Sequence, residues 1–243
     1  MPDASKAEGE SGDIIHLSEI CERAGVVLSV KVRERLVVYV ESLLDWNKKH
    51  NLISRADTSN IWSRHILHSV VPLLMFRFPK NLAFVDIGTG GGLPGIPIAI
   101  LRPDLQGVLV DSVRKKTEAL RSIIETVGIT NLRVVTERVE SPSFMKQFRS
   151  EFDLAFARAV APLPELVTWT RGLLSKPRKT AHTSEGAKEI IPPAIIALKG
   201  GDLSNEIVAT KRAFPGLSIA EHSISTVEGV GEFFIDKKVI VVR

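Results

Sequence analysis

The sequence predicts an α/β fold: a mostly parallel sheet with an antiparallel edge hairpin, preceded by an N-terminal helical extension. Three observations predict it. Beyond Lys80, short apolar runs alternate with amphipathic helical stretches, the pattern of strand–helix–strand units. The first of these runs, residues 82–87, opens directly into Gly88-Thr89-Gly90-Gly91-Gly92-Leu93-Pro94-Gly95. Two late apolar runs, 217–223 and 233–242, read as an antiparallel pair at one edge.

Taken in order, residues 1–13 are polar and small, and read as a disordered tail. Val30–Lys49 has helical apolar spacing at Val32, Leu36, Val37, Val40, Leu43 and Leu44. Thr58 or Ser59 is placed to cap a second helix running through Met75. Residues 14–79 therefore read as the helical extension and 80–243 as the main domain, the two forming one unit. Strands are expected at 82–87, 107–111, 133–136, Leu154–Arg158 and 195–199. Pro94 and Pro97 fit the first turn of the helix after the glycine run, where their missing N–H groups are not needed. Gly128 closes helix Arg114–Val127. The stretch 175–193, with Pro177, Pro192 and Pro193, reads as an irregular connection or exposed loop.

At 243 residues and 44% hydrophobic, the chain can bury one large α/β core, with or without an extension. Charges interrupt every apolar run, so no membrane span is expected, and the first residues lack the apolar segment of a signal peptide. Cys21 is the single cysteine, which excludes an intramolecular disulfide; its spacing beside Ile20 reads as packing. These features lead to the expectation of a soluble, cytoplasmic protein. A net charge of +4 suits an anionic partner such as RNA without requiring one.

Gly90, Gly92 and Gly95 satisfy G-x-G-x-x-G, a short pattern shared by several nucleotide-binding families. Asp86 is more discriminating. A carboxylate beside this turn repels a pyrophosphate and attracts an ammonium or sulfonium group. That favours S-adenosylmethionine, with a dinucleotide as the alternative. Asp111 ends the next strand, where a carboxylate accepts from ribose hydroxyls in either case. Asp86 has two open readings: contact with the cofactor's ammonium group, directly or through water, or fixing the turn. His50, His65 and His68 lack a Cys or carboxylate cluster to complete a zinc set, so no metal is expected. No Ser–His–Asp or Gly-x-Ser-x-Gly pattern supports a hydrolase. Trp46 with Asn47 reads as a helix-packing anchor, with base contact as the alternative.

Seven blocks in order resemble the bacterial small-subunit (16S) ribosomal RNA guanine-N7 methyltransferase family, also called the glucose-inhibited division protein B family. They are Trp46-Asn47-Lys48 with Asn51-Leu52; Arg64-His65-Ile66-Leu67 with Ser69; and the glycine run from Asp86 to Pro97. Asp111-Ser112, Arg138-Val139-Glu140, Arg158-Ala159-Val160-Ala161 and Ala197-Leu198-Lys199-Gly200 follow. Two positions depart from the pattern: His68 stands where Asp is common, and Arg114 where Gly is usual.

The resemblance implies a Rossmann-like S-adenosylmethionine-dependent methyltransferase fold and methylation of guanine N7 in 16S ribosomal RNA, alone or within the small subunit. It places Gly88, Gly90 and Leu93 against the cofactor. It sets Val139 and Glu140 beside the adenine, and Arg158 near the reacting end. N7 carries a lone pair and no proton, so it can attack the methyl group in line, and no residue is expected to act as a catalytic base. Lys48, Lys49, Arg55 and Arg64 are the candidates for RNA phosphate contacts. A nicotinamide oxidoreductase, a non-catalytic RNA-binding factor and a small-molecule methyltransferase are the competing readings.

Overall fold

A computed structural model describes residues 4–177 and 188–243, with side chains from residue 12 onward. Seven strands form one sheet in the order β3-β2-β1-β4-β5-β7-β6. Strands β1 (Ala83–Ile87), β2 (Gln106–Asp111), β3 (Leu132–Thr136), β4 (Leu154–Arg158) and β5 (Ala194–Gly200) run parallel. The edge pair β6 (Ile219–Ser223) and β7 (Lys237–Val242) is antiparallel, as the sequence predicts.

Alternation along the strands divides the core in two. Phe84, Leu109, Leu154, Phe156, Ile196 and Leu198 face one side. They pack beneath α1 (Ala4–Arg23), α2 (Val30–Lys49), α3 (His68–Met75), α4 (Gly95–Leu101) and α5 (Arg114–Val127). Val85, Ile87, Val110, Ala155, Ala157 and Ile195 face the other. That side is covered by α6 (Pro142–Gln147), α7 (Leu163–Thr170) and α8 (Ser204–Ala213). The sheet is thus buried on both faces, which is why its strands are rich in Ile, Val, Leu and Ala. Chain order reverses between β1 and β4, and the crevice at that switch point is where α/β sheets bind ligands.

Helix α2 spans the residues its spacing predicts. The Ser29 hydroxyl caps it by accepting from Val32 N at 3.3 Å, and Leu36, Tyr39, Val40, Leu43 and Asn47 form its buried stripe. At the end of α5, Gly128 adopts φ +70° as expected.

Helix α1 starts at Ala4, within the stretch 1–13. Two expectations are corrected. Neither Thr58 nor Ser59 caps a helix. The chain enters through a 3-10 turn (Arg55–Asn60) and a π-helical turn (Trp62–Leu67) before α3, so helical N–H groups already have carbonyl partners. The run expected as a strand from residue 233 begins with a 3-10 turn (Glu232–Phe234); the buried Phe234 ring meets His68 edge-on at 5.5 Å, which draws it out of the sheet. Residues 178–187 of the expected 175–193 loop lie outside the described residues. Its end is tied down: Arg77 N donates to Lys188 O and Ile190 N to Arg77 O, both at 2.9 Å.

Asn47 is 4% exposed, and its Oδ1 accepts from Leu52 N at 2.8 Å and Ile53 N at 3.0 Å. Asn47→Ala leaves Ile53 N short of a partner in a closed site, while Leu52 N keeps only His50 O at 2.8 Å. It should lower unfolding free energy by about 2 kcal/mol in urea titration. An unchanged midpoint would show that water replaces the amide.

Candidate functional site

The glycine run forms the turn between β1 and α4. Asp86, next to last in β1, is fully buried. Its Oδ2 accepts from Thr89 Oγ1 at 2.6 Å and Gly95 N at 2.9 Å. A Cβ on Gly95 would lie 2.8 Å from the same oxygen and 2.4 Å from Leu109, so only glycine fits there. Gly88 has φ +60°, and a Cβ on it would meet both Val160 methyl groups at 2.9 Å. Asp86 therefore fixes the turn, one of its two open readings. Its second oxygen, Oδ1, is buried without a hydrogen-bond partner.

Asp111, at the end of β2, accepts from Gly90 N at 3.1 Å through Oδ2 and from Val113 N at 2.9 Å through Oδ1. These bonds hold the carboxylate still at the wall of a cavity of about 520 Å³. Gly88, Asp111, Lys116, Val139, Glu140 and Val160 line it. Lys116 Nζ stands 4.0 Å from Asp111 Oδ2. Four of the seven residues expected to hold a cofactor, Gly88, Asp111, Val139 and Glu140, thus share one cavity. Gly90 joins them through its N–H, and Leu93 is buried in the turn.

Arg158, at the end of β4, is not among the residues that line this cavity. Its guanidinium donates to His65 O at 3.2 Å, Arg64 O at 3.3 Å and Ser69 Oγ at 3.4 Å, and contacts His65 Nδ1. A cation this deep needs acceptors, and the π-helical turn presents its carbonyls to it. Burial lowers its pKa to about 10. Among the described residues, the buried side-chain polar atoms without a hydrogen-bond partner are Asp86 Oδ1, His65 Nε2 and both ring nitrogens of His68.

The RNA-contact candidates divide. Lys48 pairs with Asp45 at 2.7 Å, and Arg64 with Asp57 at 2.6 Å. Lys49 lies over the Trp46 ring at 5.4 Å, and Trp46 stacks on His50, which makes it a packing anchor. Arg55 is exposed, and its side chain has no partner among the described residues.

Sequence reasoning missed two supports. Tyr39, the only tyrosine, is fully buried, and its hydroxyl donates to Gly91 O at 2.8 Å, tying α2 to the glycine turn. A lone tyrosine on the apolar stripe of α2 was the available signal, because a buried phenol needs a partner. The second is Lys199, whose Nζ donates to Glu206 Oε2 at 2.6 Å and Ala161 O at 3.0 Å. Glu206 Oε2 also accepts from Leu163 N at 2.8 Å, so the pair fixes the loop that carries Val160.

A protein-family model described as GidB, rRNA small subunit methyltransferase G, matches residues 32–233. Ribosomal RNA small subunit methyltransferase G of Salinibacter ruber is 36% identical over 216 residues, covering 89% of this chain and 94% of that protein. The protein of the same name from Chlorobium phaeobacteroides is 36% identical over 234 residues, covering 93% and 94%. Among solved structures, the [4+2]-cyclase SpnF aligns with a TM-score of 0.54 at 12% identity, over 79% of this chain and 83% of that one. A chain of the fibrillarin/Nop5p complex aligns at 0.51 and 10% identity, over 73% and 79%. At such identities the structural likeness shows the fold.

The buried titratable groups give a pH test. Burial raises the Asp86 pKa to about 7. Burial, and then the Arg158 charge, lower His65 to about 4 and His68 to about 3. A raised carboxyl favours folding at acid pH and loses that contribution as pH rises through about 7. Lowered histidines act oppositely: their contribution is present above 6.5 and is lost as pH falls. With two histidines against one carboxyl, stability falls on acidification. Asp86→Asn should steepen that fall between about pH 6.5 and 5, by up to one proton in the slope of unfolding free energy. Parallel curves for the two proteins would mean that Asp86 stays ionised.

Proposed function

The chain belongs to the rRNA small subunit methyltransferase G family, and from that premise we propose that it methylates N7 of a guanine in 16S ribosomal RNA with S-adenosylmethionine as donor. The observation that carries this reading is the fixed Asp111 carboxylate at the wall of a cavity that the glycine turn also lines through Gly88. Asp111 keeps lone pairs free for the two ribose hydroxyls, and Val139 with Glu140 offers an N–H and a carboxylate to an adenine. Gly88 and Gly90 present backbone to the methionine portion, with Leu93 beneath. Arg158 takes part by holding the Arg64–Ser69 segment to the end of β4.

When bound, the cofactor supplies an electrophilic methyl on a sulfonium. The chain's own task is alignment and exclusion of water, since N7 has no proton to remove. Apolar walls from Val139 and Val160 serve the second need. On the RNA side, Arg55 and Lys49 are the phosphate contacts with no ion pair to exchange among the described residues; Lys48 and Arg64 would give up Asp45 and Asp57. The partner is then 16S RNA, free or in the small subunit, and the place of action the cytoplasm.

Mapping of N7-methylguanine in 16S RNA from cells with and without this protein tests the reaction; an identical map overturns it. In thermal unfolding, S-adenosylmethionine and S-adenosylhomocysteine should stabilise the protein, by about 2.7 kcal/mol at a hundredfold excess over Kd. NAD should not, and a shift with NAD alone would favour the oxidoreductase reading.

A further inference from the structure

We propose that the concave surface formed by Asn51, Leu52, Ile53, Ser54 and Arg55 receives the guanine to be methylated, with Asn51 and Ser54 accepting from its Watson–Crick edge. The proposal rests on the N7 reading above and names the base subsite of that reaction.

The segment is built as a platform. It follows α2 and is neither helix nor strand over residues 51–54, yet Asn47 pins it with two hydrogen bonds from a buried position. Leu52 N also donates to His50 O at 2.8 Å, and His50 stacks on Trp46 with ring centroids 5.8 Å apart. A surface segment held this firmly is preorganised, so little ordering entropy is lost when something binds to it.

It also lies against the glycine turn. Leu52 O stands 3.6 Å from where a Cβ on Gly90 would be, and 3.5 Å from one on Gly91; Ile53 Cγ2 is 3.5 Å from the latter. The turn is therefore shared. Gly88 lines the Asp111 cavity, while Gly90 and Gly91 touch the segment that forms a second concavity of about 630 Å³.

The polar side chains of this concavity are unspent. Asn51, Ser54 and Arg55 are exposed, and none of these side chains makes a hydrogen bond or ion pair with another described residue. Asn47, four residues before Asn51, by contrast spends its Oδ1 on holding the backbone.

The chemistry assigns the roles. For N7 to face the methyl, the base must turn its Hoogsteen edge toward the cofactor. Its N1–H and 2-amino group are then left on the opposite edge, and both are donors. Asn51 Oδ1 and Ser54 Oγ are acceptors, while Arg55 suits the neighbouring phosphate. Adenine lacks the N1–H and the 2-amino group, so it forfeits both of these donor contacts.

The test uses 16S RNA ligated with either guanosine or inosine at the methylated position; inosine keeps N7 and loses the 2-amino group. Wild type should prefer guanosine by about tenfold in kcat/KM, the worth of one unpaired hydrogen bond. Asn51→Ala and Ser54→Ala should raise KM for the RNA, and at least one should shrink that preference toward unity. Calorimetric affinity for S-adenosylhomocysteine and Tm should stay as in wild type, because both side chains are exposed. A wild type indifferent to inosine overturns the proposal. So do two variants that keep the full preference, or a loss of activity that follows a loss of cofactor affinity. A wild type that forms no N7-methylguanine on either RNA overturns the reaction itself, which separates the two failures.

Discussion

The buried Asp86 carboxylate is the constraint on which the site depends. It sits fully enclosed in β1 and binds both ends of the glycine turn through one oxygen, Thr89 near the start and Gly95 at the start of α4. Enclosure is costly for a charge, and it moves the pKa to about 7. The close fit at Gly95 follows from the same bond, since a side chain there would strike the carboxylate. The turn in turn presents Gly90 N to Asp111, and so sets the orientation of the second carboxylate. One buried group thus fixes the position of one exposed to the cavity.

The N-terminal helices are part of this construction. Tyr39 bonds to Gly91 O, a Cβ on Gly91 would meet Leu43 Cδ1 at 2.9 Å, and the segment pinned by Asn47 lies over the same glycines. The glycines that looked like a bare approach to a ligand are therefore also an approach to the protein's own α2. The protein's own side chains confine three of the four glycines in these five positions: Val160 at Gly88, Leu43 at Gly91 and Ile96 at Gly92.

The strands and the glycine turn were legible because their signals are local. Leu154–Arg158 and Arg114–Val127 fall where apolar runs and a closing glycine put them. That Asp111, Val139 and Glu140 meet at one cavity was legible too, since a parallel sheet places strand ends side by side at its carboxyl edge. Long-range packing was not. Tyr39 and Gly91 are 52 residues apart, and Arg158 is 93 residues from His65. Nothing in the local pattern of either residue names such a partner. Arg158 in a small apolar run reads as a cleft wall rather than a surface ion pair, and the π-helical turn that supplies its acceptors has the apolar spacing of an ordinary helix. Phe233 and Phe234 read as strand because an apolar run carries no sign of which face will claim it.

The far wall of the cavity is fixed by the same device in different residues. Glu206 joins Lys199 of β5 to Leu163 N at the start of α7, and Lys199 reaches Ala161 O within the loop between β4 and α7. That loop includes Ala159 in a left-handed conformation, φ +53°, which a residue with a Cβ holds only when its surroundings impose it. It also carries Val160, whose methyl groups fill the space a side chain on Gly88 would need. The cavity therefore lies between two loops, each anchored by a carboxylate that accepts more than one hydrogen bond. A ligand entering it has little backbone to order, so its contacts with Asp111 and the turn can go into affinity and alignment. For a reaction that needs no proton transfer, alignment is the catalytic contribution these residues can make, which explains why so much of the buried polar structure serves to hold two loops still.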